Sequence, residues 1–183
     1  IQGVRNILYT QPQRSIMPNE HHGTTWVGNR SVDFIDNTAG QQPFFLFSSF
    51  IQPHPPWAVP DEVADLYKDI DLPTPLVSTT PINDRAKQLI PWDVPVGREK
   101  EFFRRVSELY FASITMIDTQ VGRIMDALEA SGEMDNTLII FTSDHGEMLG
   151  DYGCFHKCTP YENSARVPFL VRYPAKIATG TVN

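Results

Sequence analysis

From residue 98 to 131 the apolar side chains Phe102, Val106, Leu109, Phe111, Ile114, Ile117, Val121, Ile124, Met125 and Leu128 recur at helical spacing. That period lines them along one side of an α-helix, and Gly132 is a natural stop for it. A second helix is predicted over 24–37, where Trp26, Val27, Phe34 and Ile35 are the apolar positions. Thr24 or Thr25 would cap it, and it would end before Gly40. Three short apolar runs read as strands. Residues 44–51 form one, ended by Pro53, Pro55 and Pro56; residues 138–141 form a second, uninterrupted and so fully buried; residues 168–173 form a third, ending at Pro174.

Between these elements the pattern is weaker. Residues 1–23 show no sustained period and read as irregular. Residues 57–95 are Pro-rich and read as a surface loop, broken by a short helix over 61–68, with Trp57 and Trp92 as its aromatic contacts to a substrate. Strands separated by helices predict an α/β fold, a parallel or mixed sheet flanked by helices, with residues 1–183 all in one domain.

Composition narrows the function without naming it. The chain has 183 residues, 41% hydrophobic and 20% charged, which is ordinary for a globular domain. Fifteen Lys and Arg against 22 Asp and Glu give a net charge of −7, which argues against nucleic acid or an anionic membrane as a bulk partner. No apolar run approaches the roughly 20 residues of a membrane span. Cys154 and Cys158, four apart, identify no redox compartment.

The densest chemistry follows the 138–141 run. Ligands of open α/β sheets gather beyond the carboxyl ends of strands, and Asp144 and His145 stand at that end. Successive strand residues face opposite ways, so both reach one ion only if the chain leaves the strand there, a turn that Gly146 permits. This arrangement suits a metal.

The stretch Thr142-Ser143-Asp144-His145-Gly146, Leu149-Gly150, Lys157 thirteen residues after Asp144, Tyr161-Glu162, Arg166-Val167-Pro168 and the upstream Pro53-His54-Pro55-Pro56 together resemble the sulfatase family of the alkaline-phosphatase-like superfamily. The resemblance covers most of the chain from about Thr25. It implies an alkaline-phosphatase-like fold, here a partial domain, and hydrolysis of a sulfate ester. It also implies that Asp144 and His145 ligate a divalent cation, usually Ca2+ in sulfatases with Mg2+ or Mn2+ as alternatives. Lys157 and His54 would then hold the ester's anionic oxygens, His54 also serving proton transfer. An exported parent, periplasmic or extracellular, is implied in the same way.

The departures from the family carry equal information. Sulfatases make a formylglycine nucleophile in a Cys/Ser-x-Pro-x-Arg motif and add two metal-binding Asp residues from an early strand. Neither is found in these residues. Cys158-Thr159-Pro160-Tyr161-Glu162 begins like the motif but has Glu162 in place of Arg. The chain therefore reads as the later part of a catalytic domain, inactive alone, with the nucleophile in a missing N-terminal part. Glu147, Asp151 and Glu162 read as structural acids, and His156 as a loop residue beside Lys157. Two alternatives stand beside this reading. One is a phosphonate or phosphodiester hydrolase of the same superfamily. The other is a zinc-binding structural module built on Cys154, His156, Cys158 and His145, whose spacing fits no standard zinc pattern.

Overall fold

The protein is described from a computed structural model that covers residues 11–79, Asp84 and residues 97–182. In chain order its elements are β1 (Gln13–Ser15), α1 (Gly23–Thr38), β2 (Ala58–Pro60), α2 (Asp61–Ala64), α3 (Glu99–Ala130), β3 (Ile139–Thr142), α4 (Glu162–Ala165) and β4 (Phe169–Arg172). Helices packed on short parallel and antiparallel ladders place it in the α/β class.

The long helix α3 organises the rest. Its buried residues Phe102, Val106, Leu109, Ser113, Met116 and Gln120 recur three and four apart, one continuous stripe. Glu99 and Glu101 stand in its first turn, where acidic side chains oppose the positive end of the helix dipole. At the other end Glu133 N–H bonds the Leu128 carbonyl at 3.1 Å and Gly132 N–H bonds that of Glu129 at 3.0 Å. These two bonds close a left-handed cap at Gly132, whose φ of 77° suits glycine. The predicted stop is thus realised, with Arg98 and Ser131 as the flanking caps.

Two apolar clusters hang on this helix. Trp57, Val59, Val63, Ala64 and Phe155 pack on Phe102, Val106, Leu109, Ala112 and Met116. Ile35 of α1 meets Ala127 and Leu128 further along. Helices α1 and α3 approach so closely that a Cβ on Gly28 would stand 2.2 Å from Gln120 Oε1. The cap of α1 differs from the prediction: the His22 ring, not Thr24 or Thr25, accepts the Thr24 N–H, at 3.2 Å.

Strand pairing departs further from expectation. β1 and β2 form a parallel ladder, Gln13 opposite Ala58 and Ser15 opposite Pro60. β3 and β4 form a separate antiparallel ladder, Ile139 opposite Arg172 and Thr142 opposite Phe169. Residues 44–51 join neither. They alternate as a strand would, with Phe44 and Leu46 on the Ile35 cluster and Phe45, Phe47 and Ile51 exposed, but form no ladder among the described residues. The expectation that 138–141 is fully buried also fails: Leu138, Ile140 and Phe141 are exposed, as are Phe169 and Leu170 on the paired strand. The sequence shows apolarity on both faces, yet only Ile139 leans on the helices.

The predicted 57–95 loop is core at its start. Trp57 is 1% exposed and Val59 and Ala64 are fully buried, because β2 and α2 pack directly on α3. The predicted 61–68 helix is real but splits into α2 and a 3-10 turn, Asp65–Tyr67. Trp92 lies outside the described residues, as do residues 1–10.

Candidate active site

At the carboxyl end of β3 the chain leaves the ladder through Ser143, Asp144, His145 and Gly146. Asp144 Oδ1 accepts the His145 N–H at 3.0 Å, and Ser143 Oγ donates to the His145 carbonyl at 2.8 Å. The His145 ring is oriented by a 2.8 Å bond from Nδ1–H to the Gly146 carbonyl, which leaves Nε2 facing Asp144 Oδ2 at 3.5 Å. Asp144 itself is exposed. Its slight burial favours the neutral acid, but His145, the backbone N–H groups and Ser143 outweigh this and hold its carboxyl below the usual range.

Gly146 acts differently from the sequence reading. The position needs glycine for close approach rather than for a left-handed turn: a Cβ there would stand 1.9 Å from the Asn163 carbonyl oxygen, while Gly146 N–H bonds the Ser164 carbonyl at 2.8 Å. This contact ties the strand end to α4. Glu162 begins that helix, the structural place expected of it.

Beyond Gly146 the chain reverses on itself. Met148 N–H bonds the His156 carbonyl at 3.0 Å and Gly150 N–H that of Cys154 at 2.8 Å, bringing Lys157 back toward the strand end. Leu149, Gly150, Tyr152 and Gly153 all have positive φ in this turn. The loop is anchored by Phe155, fully buried, with its ring 5.4 Å from Phe103 and 5.9 Å from Trp57. Asp151 has the structural role expected, accepting the Leu76 N–H at 2.7 Å.

His156 stacks flat on Trp57, centroids 6.2 Å apart and planes 10° from parallel. Burial lowers its pKa first, and the nearby charges of Lys157 and His54 lower it further. His54 follows a turn, its N–H bonding the Ile51 carbonyl at 3.1 Å, and its Nδ1–H bonds the Pro55 carbonyl at 2.6 Å. Trp57 is therefore corrected: it lies beneath His156 in the core and offers no face to a substrate.

Glu147 is the structural acid the sequence suggests, with loop partners that the sequence does not name. One carboxylate oxygen, Oε1, accepts the N–H of His156 and, at 3.3 Å, that of Leu149. Burial raises its pKa, against the pull of those N–H groups and of Lys157. It also faces Tyr110 of α3, whose hydroxyl is pushed up to about 12 by burial and by the Glu147 charge. No spacing rule signals such a contact, because it depends on where the chain turns back.

Asp144 and His145 make a fitting pair of ligands, one charged oxygen and one oriented nitrogen close enough to share an ion. Hard cations take about six ligands, and among the described residues no three His, Cys, Asp or Glu stand together as a metal group. The same observation removes the zinc-module reading, whose Cys154 is buried while Cys158 is exposed.

A family model named Sulfatase matches residues 4–183. The chain belongs to the sulfatase family. It is 41% identical over 162 residues to an arylsulfatase of Clostridium perfringens (strain 13 / Type A), covering 87% of this chain and 34% of that protein. To a choline-sulfatase of Rhizobium meliloti (strain 1021) it is 36% identical over 145 residues, 76% of this chain and 28% of the other. Among solved structures, the phosphonate monoester hydrolase SpPMH from Silicibacter pomeroyi superposes with a TM-score of 0.76 at 25% identity, over 91% of this chain and 38% of that one. The fold is thus part of an alkaline-phosphatase-like α/β domain, and this sulfatase chain spans about a third of the length of the curated relatives it matches. Sulfatases generally use a divalent cation and a formylglycine.

Proposed function

We propose that this chain forms the later part of the catalytic domain of a sulfuric ester hydrolase, with Asp144 and His145 as metal ligands and His54 and Lys157 on the ester's anionic oxygens. What carries the reading is the oriented Asp144–His145 pair at a strand end, with the Lys157 loop folded back toward it. A divalent cation, assigned here as Ca2+, would supply positive charge against the ester oxygens, and a formylglycine from sequence outside these residues would supply the nucleophile.

The chain's own residues account for the remaining steps. Lys157 presents an ammonium with three donors to a tetrahedral oxyanion. His54, its Nδ1 side anchored on the Pro55 carbonyl, is set to hold and pass a proton at the opposite edge of the ring toward the leaving oxygen. Gly146 fixes the strand end that bears the metal pair. The exposed row of Phe45, Phe47, Ile140, Phe141 and Phe169 supports a further part of the same domain lying against these segments, consistent with the one-third coverage.

The second reading, a phosphonate monoester hydrolase, is favoured by the likeness to SpPMH. Assay of the full-length protein on an aryl sulfate and on a phosphonate monoester separates the two. Sulfate turnover well above phosphonate turnover is expected; the reverse order overturns the sulfatase assignment. Metal analysis of the same preparation decides the cation, since Ca2+ prefers oxygen ligands alone and the His145 imidazole also suits a transition ion such as Mn2+.

A further inference from the structure

We infer that Glu147 is a positioning residue: its carboxylate clamps the His156 peptide and thereby sets where Lys157 presents its ammonium. One residue, Gly146, separates Glu147 from His145, so this one side chain joins the segment bearing the metal pair to the segment bearing the anion-holding lysine.

His156 is held from every side. Its N–H is taken by Glu147 Oε1, its carbonyl accepts Met148 N–H at 3.0 Å, and its ring lies on Trp57. It needs this restraint, because its φ is 67°, a left-handed conformation that non-glycine residues rarely adopt. Cys158 on the far side of Lys157 has a φ of 74°. Lys157 therefore sits between two left-handed residues, and neither is a glycine that would adopt the conformation without cost. Such backbone persists only where its surroundings over-determine it. The His156 carbonyl and ring contacts alone leave its N–H without a partner at a part-buried position. Glu147 supplies that partner and so completes the restraint.

The role differs from that of a counter-charge for Lys157. Both donated bonds end on the same oxygen, Oε1, so a glutamine amide oxygen can accept both, each more weakly, while carrying no charge. The inference rests on the assignment of Lys157 to the ester, and a double-mutant cycle in the full-length enzyme tests the two separately. The variants are Glu147→Ala, Glu147→Gln, Lys157→Ala and the double variant Glu147→Ala/Lys157→Ala, each measured for kcat, KM and thermal midpoint on an aryl sulfate. Glu147→Ala is expected to lower kcat on the order of 10-fold or more, as supporting contacts behind active-site groups commonly do, and Glu147→Gln to recover most of that loss. The double variant should be no slower than Lys157→Ala alone, because a misplaced lysine that is already absent cannot be lost again. Should Glu147→Ala fail to accumulate, Glu147→Asp, which withdraws the carboxylate by one methylene, takes its place in the cycle. Additive losses, or a glutamine variant as slow as the alanine one, overturn the positioning role. Wild-type activity in Lys157→Ala overturns the site assignment itself.

Discussion

Replacing Gly146 with alanine places a methyl group where the structure has no room for one. The added Cβ would lie 1.9 Å from the Asn163 carbonyl oxygen, with the Asn163 carbonyl carbon at 2.9 Å, and both are backbone atoms that cannot rotate away. Ordinary carbon–oxygen contact begins beyond roughly 3 Å, so the strand end and α4 must separate by more than 1 Å. That movement breaks the 2.8 Å bond between Gly146 N–H and the Ser164 carbonyl. Overpacking costs about 1–3 kcal/mol and a lost hydrogen bond about 1 kcal/mol, which together give roughly 2–4 kcal/mol of destabilisation. The displacement also falls on the peptide next to His145, whose ring is oriented by the Gly146 carbonyl. Misplacement by about 1 Å can cost on the order of 100-fold in rate. Thermal unfolding, metal content and kcat/KM of the full-length Gly146→Ala enzyme are the measurements. A lower midpoint with weakened metal retention is expected. A variant with wild-type midpoint, metal content and kcat/KM would refute the close-approach argument.

Asp144→Asn keeps the side-chain shape but removes the charge that balances a cation; metal affinity and activity should fall together and excess metal should partly restore both. Equilibrium dialysis with unchanged metal binding in that variant would take Asp144 out of the metal pair. His156 makes a separate prediction about pH. Its folded pKa lies below the ordinary value of 6.5, so near and below that pH the unfolded chain binds more protons than the folded one, and stability should fall as the solution is acidified from neutrality. Thermal midpoints of wild type and His156→Gln across pH 5 to 8 would show a shallower acid slope in the variant; parallel curves would mean that His156 does not contribute.

Much of the fold follows from local pattern. The α3 stripe and its glycine stop are legible because a 32-residue helix repeats its period many times and ends at a residue suited to positive φ. β1 was not foreseen, since three residues carry no period. The strand reading of 44–51 captured the alternation but not the missing ladder, for pairing depends on a partner and not on the segment itself. At the site, the roles proposed for Asp144, His145, His54 and Lys157 come from the resemblance to the family, whereas the contacts of Glu147 and the buried place of Trp57 have no signal in the sequence. Both depend on the 148–156 reversal, which brings His156 down onto the indole and its N–H onto the carboxylate. A Pro-rich setting suggested an exposed Trp57, but the β1–β2 ladder carries it under α3 instead.

The most direct measurement is kcat/KM on an aryl sulfate for Lys157→Ala and His54→Ala in the full-length enzyme, taken alongside thermal unfolding. On the proposed assignment each truncation removes one group from beside the ester, a loss of about 2–4 kcal/mol of transition-state stabilisation, and neither side chain belongs to the buried apolar clusters. Turnover lowered on the order of 100-fold or more with unfolding midpoints near wild type is the predicted result. Wild-type kinetics in both variants, or losses explained wholly by unfolding, would contradict the assignment of this pair to the sulfate ester.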